Sequence, residues 1–187
     1  ELKLRISDAV GVETKALPIG TFHSQSLRIL RAIGEPVGIS RDFDIWAKDW
    51  ERLDVVKQFQ QDLIEKGAYQ DVDPDDAKPS GALDFIDASR ESLLDPEDAS
   101  IKASDLGRTA DIAHADVYYL YEDYLNTENR IDFPRMVQWA CKALAQDAET
   151  GASFGKQFSH ILVDEYQDIN FAQKSLIDSI ISSGSCL

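Results

Sequence analysis

Apolar side chains recur at three- and four-residue spacing along most of this chain, which limits what it can fold into. A period near 3.6 residues is typical of an amphipathic helix with one face in a core. The clearest example is residues 47–66, whose apolar positions are Trp50, Leu53, Val56, Phe59 and Leu63. The spacing predicts further helices over residues 2–10, 22–33, 81–94, 109–125, 132–146 and 170–182, and one that begins near residue 95. The chain is therefore expected to be mostly helical, although residues 2–10 also alternate as a strand would.

Three short stretches are predicted to be strands instead. Residues 160–163, His-Ile-Leu-Val, form a continuous apolar run of the kind found in buried central strands. Residues 16–20 are predicted to form a short buried strand in which Pro18 limits ladder hydrogen bonding. Residues 186–187 are predicted to begin another strand. The pattern favours a helical insertion within a parallel-sheet domain of which only part is present.

The charge of the chain is strongly negative and unevenly distributed. The formal net charge is −15, and residues 71–125 hold 15 acidic and 4 basic residues, a net of −11. A surface this acidic repels the phosphate backbone of a nucleic acid. Charge alone therefore argues against binding to a nucleic acid. We expect the acidic helical face formed by residues 71–125 to point to solvent or to a protein partner.

Hydropathy and cysteine usage bear on the cellular compartment. No apolar run approaches the roughly 20 residues that a membrane helix needs, and the first residues do not resemble a signal peptide. Cys141 and Cys186 are too few and too distant for a zinc motif, and Cys141 falls in an apolar helical stretch that predicts a reduced core thiol. We expect a cytoplasmic protein with no membrane partner. Because the chain does not begin with Met, we also expect it to be a piece of a longer protein.

Four tyrosines in the predicted helix 109–125 allow two interpretations. They are Tyr118, Tyr119, Tyr121 and Tyr124. Tyrosine rings can stack on the bases of single-stranded nucleic acid. They are more often helix-packing residues of a core, and we favour that interpretation here.

Two adjacent carboxylates, Asp164 and Glu165, end the apolar run at residues 160–163. In α/β sheets, ligands bind beyond the carboxyl ends of the strands. One carboxylate there can hold a Mg²⁺ ion bound to nucleotide phosphates, and its neighbour can orient or deprotonate a water molecule. Such a pair is also common where a strand meets solvent, so the two acids alone do not decide the function.

The residues after this pair make the pattern more specific. Tyr166, Gln167 and Asp168 add an amide and a third carboxylate in the next turn. The whole string Val-Asp-Glu-Tyr-Gln-Asp at residues 163–168 resembles motif II, the Walker B motif, of superfamily 1 DNA helicases of the UvrD/Rep/PcrA group. Upstream, the string Ile-Gly-Thr-Phe-His-Ser at residues 19–24 resembles motif Ib of that family. An ordinary helix N-cap would explain the Thr and Ser of this second string equally well.

The resemblance implies a fold and a domain division. Residues 1–38, with motif Ib, and residues 151–187, with Walker B, would be parts of subdomain 1A, a RecA-like P-loop motor domain. Residues 39–150 would form a helical 1B-like subdomain between them. Residues 42–45, 121–125 and 131–133 resemble its usual landmarks. The expected fold class is thus an α/β parent of which this chain is a mostly α piece, with a helical insertion and a few strands.

The resemblance also implies nucleotide chemistry. Asp164 would coordinate Mg²⁺, Glu165 would activate the attacking water, and Gln167 would lie near the γ-phosphate of ATP. No Gly-x-x-x-x-Gly-Lys-Ser/Thr phosphate-binding string occurs in the 187 residues. An isolated Walker B lacks most of the phosphate contacts. We therefore expect the complete protein to hydrolyse ATP and this chain by itself to be inactive.

The resemblance implies DNA as the substrate of the complete protein. Thr21, His23 and Ser24 would approach the backbone of single-stranded DNA, although His23 could instead be packed at the start of its helix. The family predicts a 3′–5′ DNA helicase or translocase of repair or replication, acting on single-stranded and duplex DNA. Two alternatives stay open: a helical protein- or DNA-binding module with a degenerate Walker B, and part of a helicase–nuclease of the RecB/AddA type.

Overall fold

Helices make up most of the chain, as the apolar spacing predicts. The computed structural model describes residues 2–11, 18–146 and 148–183. Its α-helices are α1 (Leu2–Val10), α2 (Phe22–Ile33), α3 (Asp49–Glu65), α4 (Pro79–Glu91), α5 (Pro96–Asp105), α6 (Thr109–Thr127), α7 (Phe133–Gln146), α8 (Ala148–Gly155) and α9 (Phe171–Ser183). Each helix predicted from the spacing is found, with ends that differ by a few residues. The short helix α8 was not predicted.

Side-chain caps set the first turns of several helices. The amide of Ser24 donates to Thr21 Oγ1 at 3.3 Å at the start of α2. The amide of Asp98 donates to Asp95 Oδ1 at 3.0 Å at the start of α5. The carboxylate of Asp132 accepts the amide of Arg135 at 3.0 Å at the start of α7, which confirms the cap predicted there. Each cap satisfies an amide that has no partner within its own helix.

A small parallel sheet joins distant parts of the chain. Strand β1 (Asp44–Trp46) pairs with strand β2 (Arg130–Asp132), and Ile45 lies opposite Ile131. Neither strand was predicted from periodicity, although both fall at stretches that resemble family landmarks. Parallel strands need a long crossover, and here the helices α3 to α6 supply it. The sheet therefore places the two ends of this helical group side by side.

The strand predicted over residues 160–163 is not formed. These residues have no regular structure, and Leu162 is 96% exposed. A central parallel strand depends on ladder hydrogen bonds on both sides and on cover for both faces. Among the described residues no strand pairs with this segment, so that prediction was wrong for this structure. Residues 18–20 are likewise not a strand, while the rest of the predicted strand at 16–20 and the one at 186–187 lie outside the described residues.

Apolar side chains pack into two clusters. The first joins α2, α7, α8 and α9, and its buried members include Ile29, Leu30, Met136, Leu144, Phe154 and Leu176. The second lies among α3 to α6 and includes Val56, Ile86, Val117, Tyr118, Tyr121 and Leu125. Ile131 of β2 belongs to the first cluster and Trp46 of β1 to the second, so the sheet lies at their boundary. Helix α7, which falls in the range 39–150 of the predicted 1B-like subdomain, packs mainly against α2 and α9.

Several predictions about individual side chains can be checked against burial. Tyr118 and Tyr121 are 0% exposed, which confirms the packing role for these two, whereas Tyr119 is 45% exposed. Trp50 was predicted to lie on the buried face of α3 but is 62% exposed. It lies in the first turn of α3, where the ammonium of Lys48 lies 5.5 Å from the centre of its ring.

Cys141 is a buried residue of the first cluster, as predicted. Its thiol lies 3.5 Å from the carbonyl oxygen of Ala172 and forms no disulfide. Burial raises the pKa of Cys141 to about 12, so the thiol stays protonated and unreactive at neutral pH.

No helix in the described ranges is both long enough and apolar enough to cross a membrane.

Candidate functional site

The acidic string at residues 164–168 directly precedes α9, which is firmly anchored. The amide of Gln173 donates to Asn170 Oδ1 at 2.9 Å, and the amide of Asn170 donates to Gln173 Oε1 at 3.2 Å. This reciprocal pair is a capping box, which fixes where the helix begins. Ala172 and Leu176 of α9 are each 1% exposed and pack in the first cluster. The string is therefore held from its C-terminal side by a capped and buried helix.

The backbone turns sharply within the string. Glu165 has a left-handed conformation, with φ 50° and ψ 42°, which is uncommon for a residue other than glycine. Its amide donates to Asp164 Oδ1 at 3.1 Å, and its carbonyl accepts the amide of Asp168 at 2.9 Å. The amide group of Gln167 donates to Glu165 Oε2. Local hydrogen bonds thus hold the acidic string as a short 3₁₀ turn over Tyr166–Asp168.

The side chains of this turn have the chemistry to supply the protein ligands of a Mg²⁺ ion that is bound to a nucleotide. Asp164 and Glu165 are exposed, and neither forms an ion pair within the part of the chain that the structure describes. Mg²⁺ bound to nucleotides takes one or two protein carboxylates and completes its shell with phosphate oxygens and water. In the described ranges, no group of three or more His, Cys, Asp or Glu side chains could hold a metal ion. The donor set therefore suits an ion held largely by nucleotide phosphates.

The second string enters α2 through a tight turn. Ser24 Oγ donates to the carbonyl oxygen of Thr21 at 2.8 Å, in addition to the cap that Thr21 provides. A Cβ atom at Gly20 would lie 2.2 Å from Ser24 Oγ, so a larger residue there would force the Ser24 hydroxyl to move. Both hydroxyl groups are thus used at the helix start, which confirms the N-cap role. Thr21 and Ser24 remain exposed, and their role toward DNA stays a prediction.

The His23 side chain packs against α7. Its ring centre lies 5.1 Å from that of Phe133, and the ring is half-buried. Burial lowers the pKa of His23, which favours the neutral imidazole at pH 7. This contact supports the packing alternative considered from the sequence. A neutral ring could still offer a hydrogen bond to a phosphate, but not a positive charge.

The first string leads into α2 and the second lies shortly before α9. Helices α2 and α9 both pack against α7. Arg28 of α2 donates to Gln157 Oε1 at 3.1 Å, and its guanidinium lies 5.7 Å from the Phe154 ring centre and 5.6 Å from that of Phe158. Arg28 was not among the site residues predicted from the sequence. It connects α2 to the segment that leads into the acidic string.

A buried charge network, which the sequence did not predict, lies between the two clusters. Its centre is Asp132, which is 0% exposed. Arg90 Nη1 lies 2.8 Å and 2.7 Å from the two carboxylate oxygens, and the hydroxyl of Tyr121 donates to Asp132 Oδ2 at 2.8 Å. Arg52 Nε lies 3.2 Å from the same oxygen. A buried carboxylate is tolerated because these donors surround it.

The network extends across four helices. Arg90 of α4 also donates to Glu122 of α6 at 2.9 Å, and Arg135 Nε of α7 lies 2.8 Å from Glu122 Oε2. Arg52 of α3 pairs with Asp87 of α4. One signal was present in the sequence. Arg52 lies four residues before Val56 and therefore on the same, buried face of α3. A cation on a buried face needs a buried anion as its partner.

The acid stability of the chain should depend on Asp132. Burial alone would raise the pKa of Asp132, but Arg90 and Arg52 outweigh it and lower the pKa to about 2. The unfolded pKa is about 3.9, so the stabilisation is complete above about pH 4 and is lost as the pH falls toward 2. We expect the difference in unfolding free energy between the native chain and Asp132→Asn to shrink from pH 4 to pH 2 in urea titrations. A difference that stays constant across this range would contradict the assignment.

Comparison with known proteins places this arrangement in a family. The model of the UvrD/REP helicase N-terminal domain matches residues 1–187. The chain belongs to the UvrD/REP helicase family. It is 30% identical to the ATP-dependent DNA helicase PcrA of Bacillus subtilis over 180 residues, which cover 96% of this chain and 23% of that protein. The resemblance drawn from residues 19–24 and 163–168 is thereby confirmed at the level of the family.

Two other relatives match the chain over a similar length. The PcrA helicase of Staphylococcus epidermidis is 30% identical over 95% of the chain and 23% of its own length. That of Staphylococcus aureus is 28% identical over 97% of the chain and 23% of its own length. This UvrD/REP chain thus spans about a quarter of the length of the curated relatives that it matches.

Proposed function

We propose that this chain is part of the motor of an ATP-dependent DNA helicase. The observation that carries the proposal is the family match over residues 1–187, which includes the exposed acidic string at residues 164–168. The relatives are named ATP-dependent DNA helicases. A 3′–5′ polarity follows from the resemblance to the UvrD/Rep/PcrA group.

The acidic string would carry the nucleotide chemistry of the complete protein. Asp164 would hold Mg²⁺, which when bound to ATP would neutralise charge on the phosphates. Glu165 would accept a proton from the attacking water, as a general base does. The hydrogen bond from Gln167 to the Glu165 carboxylate supports a role for Gln167 in orienting that base. The capping box at the start of α9 would keep this turn in place.

The start of α2 would meet the DNA backbone. A helix N-terminus with exposed hydroxyl groups is a suitable phosphate contact, because backbone amides and the helix dipole both favour an anion. Thr21 and Ser24 would supply those groups, and His23 would act as a neutral donor or as a packing residue. Because the surface over residues 71–125 has a net charge of −11, DNA would lie away from it.

The domain division would follow the two clusters. The resemblance places residues 1–38 and 151–187 in the motor domain and residues 39–150 in the helical 1B-like subdomain. The packing of α7 against α2 and α9 favours one adjustment. The helical insertion would end near Asp132, and α7 would belong to the motor segments.

The purified 187-residue chain tests the proposal, because it holds the acidic string without a phosphate-binding loop. We expect no Mg²⁺-dependent ATP turnover above background in a phosphate-release assay with single-stranded DNA. We also expect DNA binding no tighter than about 10⁻⁴ M at physiological salt, given the net charge of −15. Turnover that Glu165→Gln abolishes would overturn the assignment of this chain as an inactive part of the motor. Tight DNA binding with a steep salt dependence would favour the binding-module alternative instead.

A further inference from the structure

Arg28 of α2 makes three contacts with the turn that follows α8. Its guanidinium donates to Gln157 Oε1 at 3.1 Å and lies 5.7 Å and 5.6 Å from the ring centres of Phe154 and Phe158. The two rings lie 5.6 Å apart, and Phe154 is a buried residue of the first cluster. A planar guanidinium can face rings and donate to an amide oxygen at the same time, which a lysine ammonium does less well.

The turn that holds these three partners is itself ordered. The amide of Gln157 donates to the carbonyl oxygen of Phe154 at 3.2 Å, and the amide of Phe158 donates to that of Gly155 at 3.0 Å. The partners of Arg28 thus belong to one hydrogen-bonded turn at the end of α8. A contact with any one of them positions the turn as a unit.

The acidic string is attached at both ends to α8 and α9. Phe158 lies six residues before Asp164, and α9 begins at Phe171, three residues after Asp168. Helix α8 packs against α9, and we call these two helices, with the turn after α8, the α8–α9 pair. A displacement of this pair relative to α2 would move the carboxylates of Asp164 and Glu165 with it.

Helix α2 carries the other string at its start. Arg28 follows Ser24 by four residues, so the two side chains lie on one face of α2, one turn apart. Ile29 and Leu30 are 0% exposed, and the helix packs against α7. Because close packing opposes local deformation, α2 transmits a displacement of its first turn to Arg28.

We propose that Arg28 is a positioning residue, which fixes the α8–α9 pair, and with it the acidic string, relative to the start of α2. The proposal rests on the function proposed above for the two strings. DNA bound at residues 21–24 then acts on ATP turnover through Arg28, because α2 and the α8–α9 pair meet directly at this side chain. Arg28 itself is exposed, so replacing it leaves no cavity in the core.

ATP turnover by the complete helicase, measured with and without single-stranded DNA, tests this role. Arg28→Met keeps an unbranched side chain of high helix propensity but removes the charge and the donors. We expect the stimulation of turnover by DNA to fall roughly tenfold, the effect of losing a hydrogen bond and the ring contacts together. Turnover without DNA, and the affinity for Mg²⁺–ATP without DNA, should change by less than about threefold.

Arg31→Met is the matched control. It makes the same change on the same helix at an exposed position in the last turn, and it should leave the stimulation within about twofold. Equal losses in both variants would show an effect of charge only and would overturn the positioning role. A native helicase whose ATP turnover does not respond to single-stranded DNA would overturn the proposed function itself, so the two failures are distinguishable.

A double variant tests the contact with Gln157. Gln157→Ala removes the acceptor of the hydrogen bond, and we expect it to lower the stimulation by roughly threefold. If both side chains act through one bridge, Arg28→Met with Gln157→Ala should lose no more than Arg28→Met alone. Losses that multiply would show independent effects and contradict the bridge.

Arg28→Lys replaces Arg28→Met in these comparisons if the latter does not fold. It keeps the charge but lacks the planar group, and it should lower the stimulation by roughly threefold. Stimulation equal to that of the native helicase would contradict the role of the guanidinium.

Discussion

Replacing Asp132 with Asn should lower the free energy of unfolding of this chain by about 3–5 kcal/mol, the usual cost of removing one partner from a buried ion pair. Asn keeps the shape of the side chain and can still accept a hydrogen bond from Tyr121. It removes the negative charge that faces Arg90 and Arg52, whose side chains are 0% and 5% exposed. Glu122 and Asp87 would then face three guanidinium groups, those of Arg90, Arg52 and Arg135, so one positive charge would lack a buried partner. Urea unfolding at pH 7, followed by circular dichroism, measures the difference.

The matched control is Asp123→Asn on α6. Asp123 is exposed, so the same change of atoms and charge should alter the unfolding free energy by less than about 0.5 kcal/mol. If the two variants lose similar and small amounts of stability, the charge of Asp132 does not hold the helices together.

Replacing Glu165 with Gln in the complete helicase should reduce ATP turnover by about 10²–10⁴-fold, the range that a general base contributes. Gln has the same shape and keeps an oxygen that can accept the hydrogen bond from Gln167. It cannot take a proton from water at neutral pH. Because Asp164 is unchanged, binding of a Mg²⁺–nucleotide should be largely retained, and the loss should be in kcat. Steady-state phosphate release in the presence of single-stranded DNA, together with nucleotide binding at equilibrium, separates these two effects.

Glu128→Gln is a suitable control for that experiment. Glu128 follows the last turn of α6, is exposed, and lies far from the acidic string in sequence. Its substitution should leave ATP turnover within about twofold, as is usual for a surface change. Turnover by Glu165→Gln that matches this control would remove Glu165 from the chemistry.

The helices of this chain could be predicted because their causes are local. Apolar spacing and capping residues act within a few positions of one another, and the bounds of α2 agree with the sequence at both ends. The core roles of Tyr118 and Tyr121 were favoured for a different reason, that helical tyrosines more often pack in a core than bind a ligand. The misplaced Trp50 shows the limit of this approach, because periodicity does not tell whether a neighbouring helix covers the first turn.

The parallel sheet and the charge network could not be predicted, because their causes are distant in sequence. Each strand has three residues, and its partner lies on the far side of four helices. The apolar run at residues 160–163 was predicted as a strand from its composition, but a strand also needs partners that composition does not supply. The apolar run pointed only to Asp164 and Glu165, the two acids that end it. The other site residues were found by resemblance to a family.

The parallel pairing of β1 and β2 places the two ends of the helical group α3 to α6, the proposed insertion, on neighbouring strands, about 4.8 Å apart. The insertion therefore leaves the rest of the chain and returns to it at one place, which is where whole segments can be exchanged between proteins without disturbing their surroundings. Asp132 restricts such exchange. Its arginines at positions 52 and 90 lie within the insertion, so a recombined chain that lacked them would leave a buried carboxylate without its cations. We therefore expect recombination among related helicases to preserve the pairing of Asp132 with Arg52 and Arg90 more strictly than any feature on the outer surface of the insertion.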